Sequence, residues 1–432
     1  MSSKKSIIDS ALADITTQFA SRFHETLRPL RMIGKEAEFP VVTQDGRAAD
    51  VGVLLRAFLD EGGFTPHYDE ATLVSVAREG LEIAIEVGRG TIELALSPCA
   101  DLWELEKEFG KAMALVTRVV ESCGMHLLGF GIQPRTPASH ALMTSRKHYH
   151  ALYRAIGKPW LALTTTAADQ THVDICRTEL LDAINWMNLL SAPLIALCAN
   201  SSVYGGRAGK FVAGREGLLR SLGEDRYGMT PRKFSSLDEF IRYLCDYRSF
   251  ILRDGDKYKQ FNKPFTNHLT ASAQPPNAFS DFLFHEHYIW NSARARVAVS
   301  TIEVRPACQQ PPSEPFAANA LILGWVEALP QVVAYFDDTL GNKTWDVMRV
   351  YRRAVVRDGL RTREPIPGMI RVLVEIAEDG LVRRGHGEEK FLLPVWKRIE
   401  RRESPGMHAR KLFEREGMQG LLKEIKIKTW KV

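Results

Sequence analysis

Ile33-Gly34-Lys35-Glu36-Ala37-Glu38-Phe39 is the stretch on which the fold turns. In an extended strand, successive side chains point to opposite faces, so Glu36 and Glu38 share one face while Ala37 and Phe39 share the other. The same split recurs along the chain. Leu81, Ile83, Ile85 and Val87 alternate with Glu82, Ala84 and Glu86, and Ile92, Leu94 and Leu96 alternate with Thr91, Glu93 and Ala95. Leu128, Phe130 and Ile132 alternate with Gly129, Gly131 and Gln133. His172 and Asp174 face away from Val173 and Ile175, as Thr301, Glu303 and Arg305 do from Ile302 and Val304. Six such segments predict one sheet with an apolar face under helices and a face rich in ionisable groups, an α+β architecture. A plain solvated face would alternate as well, but would mix Thr, Lys, Ser and Arg. Here carboxylates come with small neighbours, so the polar face is expected to be a cleft. Gly34, Gly88, Gly90, Gly129 and Gly131 are expected to let something approach closely.

Helical periodicity marks residues 6–23, 51–60, 100–122, 178–198 and 237–252. A second helical group fills the last quarter: 315–336, 343–356, 368–383, 391–402 and 405–416. Ser404-Pro405 reads as a helix start, and Asp379-Gly380 as either a turn or a glycine inside a helix. The expected organisation is an N-terminal helix over residues 1–30 and one large domain over 31–432, helical from about 315. The proline-containing segments 264–278 and 309–315 are expected to be loops bordering a site. Tyr204-Gly205-Gly206-Arg207-Ala208-Gly209-Lys210 follows a helix and lacks the G-x-x-x-x-G-K-[ST] order, which argues against a phosphate-binding loop.

With 45% hydrophobic and 25% charged residues in 432, the composition is that of a soluble globular protein with a sizeable core. No apolar run reaches the roughly eighteen residues of a membrane span. Asp9 and Asp14 follow Lys4 and Lys5 where a secretory leader would be apolar, so a cytoplasmic location is expected. Six cysteines without C-x-x-C spacing predict reduced thiols, with neither a zinc site nor a disulfide framework. The net charge of +5 does not point to nucleic acid. The basic tail of Lys423, Lys426, Lys428 and Lys431 reads as a solvated terminal element.

Carboxylates converging in a cleft repel one another unless cations intervene. Magnesium suits this role because it prefers oxygen ligands and commonly bridges carboxylates to nucleotide phosphates. Glu36, Glu38, Glu93 and Glu303 are the candidate ligands, with Glu86 a further one. His172 could ligate a metal or donate to phosphate. Arg215, Arg226 and Arg305 offer guanidinium forks for carboxylate or phosphate, and Arg305 shares a strand face with Glu303.

Together these segments resemble the type 2 glutamate-cysteine ligase family, of plant and proteobacterial type, a branch of the glutamine synthetase-like carboxylate-amine ligases. Residues 33–39 resemble its first-strand motif, and Thr91-Ile92-Glu93-Leu94 its Q-x-E-L-S segment. Leu127-Leu128-Gly129-Phe130-Gly131-Ile132-Gln133-Pro134 resembles its G-x-G-x-Q-P strand. Ala199-Asn200-Ser201, Arg215 and Asp225-Arg226-Tyr227-Gly228-Met229 resemble its A-N-S, R-S and D-R-T-G-M segments. Ile302-Glu303-Val304-Arg305 resembles L-E-x-R, and residues 377–385 its A-x-D-G-L-x-R-R-G run. The likeness covers about residues 32–420.

The resemblance implies a glutamine synthetase-like fold, with a mainly antiparallel sheet curved into a funnel that holds ATP and Mg2+ at one end and amino-acid substrates at the other. It carries metal binding onto Glu36, Glu38, Glu93 and Glu303, and catalytic roles onto Glu38, Glu93, Glu303 and Arg305. Cofactor binding falls on His172, Arg215, Arg226 and Arg305. The implied reaction is phosphorylation of glutamate's side-chain carboxylate by ATP, then attack of an amine, cysteine by default, on the acyl phosphate. Its partners are then small molecules, with no nucleic acid or membrane, and the chain is a monomer or homodimer.

Three departures bear on the acceptor. Glu86-Val87-Gly88-Arg89-Gly90-Thr91-Ile92-Glu93 is one residue longer than the family's E-P-G-G-Q-x-E. His287 to Arg294 replaces H-L-T-T-x-F-P-x-V-R, and Pro306-Ala307-Cys308-Gln309-Gln310 replaces a stretch that usually holds an aspartate. A ligase using another amine, amino acid or peptide is therefore the second reading. A ligand-binding homologue without turnover is the third, and retention of the four carboxylates speaks against it.

Overall fold

Ala37 and Phe39 of β1 (Ile33–Val42) are buried in the core, while Glu36 and Glu38 turn to the opposite face. In this computed structural model, which describes residues 4–223, 226–255, 257–270, 277–428 and 430, the strand is the centre of the fold. The strands that follow are β2 (Thr65–Asp69), β3 (Thr72–Arg78), β4 (Leu81–Ile85), β5 (Thr91–Leu96), β6 (His126–Leu127) and β7 (Asp169–Asp174). Then come the short hairpin β8 (Val203–Tyr204) and β9 (Arg207–Ala208), β10 (Tyr227–Gly228), and the hairpin β11 (Arg248–Asp254) and β12 (Lys257–Pro264). The last are β13 (Trp290–Asn291), β14 (Ala293–Arg296) and β15 (Thr301–Val304).

The main sheet runs β14-β15-β7-β1-β5-β4-β3-β2, with β6 pairing the end of β1. All of its pairings are antiparallel. Register places Gly34, His172, Glu303 and Arg294 side by side across four strands. Glu38, Glu93 and Ala84 form a second row. Carboxylates directly opposite each other repel, so the Glu38–Glu93 pairing is a cost that packing alone does not explain.

Helices cover the apolar face. Leu102–Ser122 is held at its start by Asp101, which accepts from the backbone N–H groups of Trp103 and Glu104 as an N-cap does. Ala317–Glu327 and Met369–Arg384 cross so closely that a Cβ on Gly380 would stand 2.2 Å from the Gly324 carbonyl oxygen. Asp379-Gly380 is thus inside a helix. Beneath β1, the Lys35 ammonium is fully buried, paired with Asp169 and bonded to Asn319 Oδ1 at 2.8 Å. Its ammonium lies 5.5 Å from the ring centroids of both Phe109 and Phe316.

Several expectations are corrected. The helix expected over 178–198 is two, Leu180–Leu189 and Ser191–Cys198, meeting at 46°, and Pro193 explains the break because it removes a backbone donor. Likewise 315–336 is Ala317–Glu327 and Leu329–Thr339 at 79°, with Pro330 in the first turn of the second. The helix expected over 237–252 stops at Asp246, and Phe250 and Ile251 are buried from a strand. The last helix runs to Ile425 across a break at Gly417. Its N-cap residue Ser404 makes no side-chain capping bond.

Residues 128–133 form no strand, only the isolated bridges Leu128↔Lys426 and Ile132↔Thr166. What approaches the glycines closely is the protein's own chain. A Cβ on Gly88 would meet the Thr164 carbonyl oxygen at 1.9 Å, and one on Gly131 the Cys308 Cβ at 2.5 Å. Segment 309–315 packs behind the sheet, with Pro312 against Gly129. Of segment 264–278, residues 264–270 carry the end of β12 and the helix Phe265–Leu269. Residues 271–276, like Asp225 and Lys431, lie outside the described residues. All six cysteines are free thiols. Among the described residues, no single helix is long and apolar enough to cross a membrane.

Candidate active site

The ionisable face of the sheet closes around a cavity of about 430 Å³. Glu36, Glu38, Glu86, Glu93, Glu303, Arg215 and Arg305 all line it. The carboxylates are brought together as two groups. In the first, ligand atoms of Glu36, His172 and Glu303 lie within 4.8 Å of one another, and in the second those of Glu38, Glu86 and Glu93 do. The four carboxylates expected to bind metal are thus divided between two places. His172 joins the first group and Glu86 the second.

The two groups differ electrostatically. Glu303 is buried, which disfavours its charge, but three guanidiniums more than compensate and hold its carboxyl well below the ordinary range. Arg294 Nη2 lies 3.2 Å and 3.1 Å from its two oxygens, Arg296 Nε lies 3.3 Å from Oε2, and Arg305 bonds Oε1 directly. His172 Nε2 lies 3.1 Å from Glu36 Oε1, and its Nδ1 is 3.0 Å from Thr301 Oγ1. Burial works against the Glu36 charge too, yet His172 and Arg305 keep its carboxyl below its ordinary value.

Among the hydrogen bonds and ion pairs of the described residues, the second group has none to an arginine. Glu38 is pushed up to about 8 by burial first and by the charge of Glu86 second. Burial likewise raises Glu86, and raises Glu93 strongly with the help of Glu36, Glu86 and Glu38. Gln170 Nε2 donates to Glu38 Oε1 at 3.0 Å and the Ala168 N–H to Oε2 at 2.7 Å, which fixes the carboxylate without neutralising it. Three converging carboxylates with raised proton affinity form an all-oxygen set that fits a hard divalent cation. The first group, with one imidazole and two ionised carboxylates, could hold a second.

Arg215 is buried at the cavity wall. Its Nη1 donates to Glu216 Oε1 at 2.8 Å, and the same carboxylate accepts from Tyr227 Oη at 2.5 Å and from Arg352 Nη2 at 2.5 Å. Arg226 does not line the cavity. It donates to the Tyr288 carbonyl at 2.8 Å and to the Arg248 carbonyl, with its guanidinium 4.0 Å from the Phe250 ring centroid. It braces Tyr288, a wall residue.

Sequence reasoning missed Arg294, Arg296, Gln170, Arg146, His148 and Tyr149. For the first two a signal existed, since Ala293-Arg294-Ala295-Arg296 alternates like the other strands. Gln170 stands two residues from His172 on the same strand face. For the wall residues on the helix Lys147–Ile156 no pattern pointed to the cavity.

The family model for glutamate-cysteine ligase family 2 (GCS2) matches residues 32–424. The chain belongs to that family. Among GCS2-like relatives, the chloroplastic glutamate–cysteine ligase of Medicago truncatula is 24% identical over 333 residues, covering 72% of this chain and 64% of that protein. The Arabidopsis thaliana enzyme is 24% identical over 338 residues, covering 72% and 62%. The chain therefore spans less than two thirds of these relatives' length. Its fold is shared with a bifunctional glutathione synthetase from Pasteurella multocida, at a TM-score of 0.54 and 13% identity, covering 96% of this chain and 52% of that one.

Proposed function

We propose that the protein is an ATP- and Mg2+-dependent carboxylate-amine ligase that activates the side-chain carboxylate of glutamate and joins it to an amine, for which cysteine is the family default. The observation that carries this reading is the joining, in one cavity, of two ligand groups of cation size with an arginine cluster. Magnesium held by Glu38, Glu86 and Glu93, and by Glu36, His172 and Glu303, would neutralise phosphate charge and hold the nucleotide against the acid.

The chain's own residues supply the rest. Arg305, with Arg294 and Arg296 beside it, provides fixed positive charge where a transferred phosphoryl group develops negative charge. Arg215, oriented by Glu216, suits a substrate carboxylate. Attack by the amine forms the C–N bond as the C–O bond to phosphate breaks. ADP and phosphate leave, and the amine sheds the protons of its ammonium form.

Incubating the protein with ATP, Mg2+, glutamate and a panel of amines, while following phosphate release and product mass, tests the reading. The expected result is glutamate-dependent phosphate release with a γ-glutamyl adduct. Release that ignores glutamate, or none at all, would overturn it.

A further inference from the structure

A second chamber lies beside the cleft. A cavity of about 610 Å³ shares the wall residues Arg146, His148, His287 and Tyr288 with the acidic cavity, so the two adjoin. Its other walls come from the β2–β3 tip with Tyr68 and Asp69, from the β11–β12 hairpin with Arg253 and Tyr258, and from Phe284 on the helix Ala278–His287.

Strand register gives the chamber its side. Ser75 pairs with Ala84, so the β2–β3 tip lies beyond Ala84 in the direction of Glu86. Tyr149, a wall residue of the acidic cavity that follows His148, feels the charge of Glu86. The β2–β3 side of the chamber thus lies toward the Glu38, Glu86 and Glu93 group, while its His287 wall touches the other group, the His287 carbonyl accepting from Arg294 Nη1 at 2.9 Å.

Among the described residues that line it, its chemistry is aromatic with a single excess positive charge. The Tyr258 and Phe284 rings lie 6.0 Å apart and 20° from parallel, and Tyr288 meets Phe284 edge-on at 5.2 Å. Arg146 Nε is 2.9 Å from Asp69 Oδ2, which cancels one charge pair. His148 is pushed down to about 4, by burial first and by Arg146 second, and so is neutral at pH 7. That leaves Arg253, whose guanidinium sits 4.7 Å from the Phe284 ring centroid. The space is open to solvent on one side and has room for an acceptor larger than a small thiol amino acid.

We propose that this chamber receives the amine acceptor and selects a bulky aromatic amino acid, with its ring against Tyr258 and Phe284 and its carboxylate toward Arg253. The inference rests on the ligase reading above and narrows its acceptor. Planar rings gain from offset stacking and edge contacts, and a guanidinium gives a carboxylate two parallel donors. The acceptor nitrogen then enters the acidic cavity beside Glu86 and bonds to the acyl carbon. The bond from that carbon to the phosphate oxygen breaks, and phosphate leaves with the electron pair.

The test uses the purified full chain with ATP, Mg2+, glutamate and one of four acceptors: hydroxylamine, cysteine, phenylalanine or phenethylamine. Hydroxylamine is too small to need the chamber, so hydroxamate formation reports the ligase chemistry alone. The expected result is a γ-glutamyl-phenylalanine adduct, formed with a higher kcat/KM than the cysteine product. Arg253→Ala is expected to raise KM for phenylalanine by about 10-fold or more, as loss of a charge-assisted bond does, and to leave KM for phenethylamine unchanged. Phe284→Ala is expected to raise KM for both, and circular dichroism matching the wild type is expected to show that both variants are folded. Cysteine equal to or better than phenylalanine overturns the proposal, as does either substitution raising KM for ATP, which would make the chamber a nucleotide site. Absence of hydroxamate with the wild-type protein overturns the ligase reading itself.

Discussion

Single carboxylates decide the proposed chemistry, and their environments separate their roles. Glu303 is charged and held by Arg294, Arg296 and Arg305, whereas Glu38 has a proton affinity raised by burial and by Glu86. Glu38→Gln keeps the shape and removes the charge, so it is expected to cut γ-glutamyl hydroxamate formation by about 100-fold or more, the scale of losing one charged stabilising group. Circular dichroism should show the same fold. Normal activity would remove Glu38 from the mechanism. Glu216→Gln tests a different residue, one behind the wall, because the Glu216 carboxylate gathers Arg215, Tyr227 and Arg352. The expectation is a raised KM for glutamate with KM for ATP unchanged, and Glu216→Asp restoring part of it. At this scale Glu36, Glu38, Glu93 and Glu303 were legible because strand alternation puts each of them on the polar face of its own strand. Arg226 was not, since nothing in a local pattern reports that its guanidinium is tied to the Tyr288 and Arg248 carbonyls.

Among the elements, β1 works on both of its faces. Toward the cleft it presents Glu36 and Glu38, and toward the helices it buries Lys35 against Asp169 and Asn319. Lys35→Met leaves Asp169 buried without its partner, and breaking such a pair costs about 3–5 kcal/mol. Chemical denaturation is expected to show that loss, and Lys35→Met combined with Asp169→Asn to recover part of it. The helix crossing at Gly324 and Gly380 has no slack, since a Cβ on either meets backbone at 2.2 Å. Gly380→Ala is therefore expected to destabilise by about 1–3 kcal/mol or more, the range for overpacking, read as a lowered Tm. Elements with long periodic patterns, such as Leu102–Ser122 and Thr344–Asp358, were legible in the sequence. The stretch from Arg248 to Asp254 was not, because a short apolar run fits helix and strand alike and only pairing with β12 decides it.

For the whole molecule, the cavity exists because strands far apart in sequence are neighbours in the sheet. Glu38 stands opposite Glu93, and His172 stands between Gly34 and Glu303. If ATP and Mg2+ bind there, they stabilise the folded state by mass action, about 2.7 kcal/mol at a hundredfold excess over Kd. Thermal unfolding is expected to shift upward with both together, and less in Glu38→Gln. An equal shift in the variant would place binding elsewhere. By itself the sequence determined which residues share a strand face, which stretches are helical, and an acidic inventory suited to cations, because these follow from periods of 2.0 and 3.6 along one chain. Only the tertiary structure decided that the acids form two groups, that arginines of β14 neutralise one of them, and that an aromatic chamber adjoins their cavity. Those outcomes depend on register and packing between distant segments, which local periodicity does not encode.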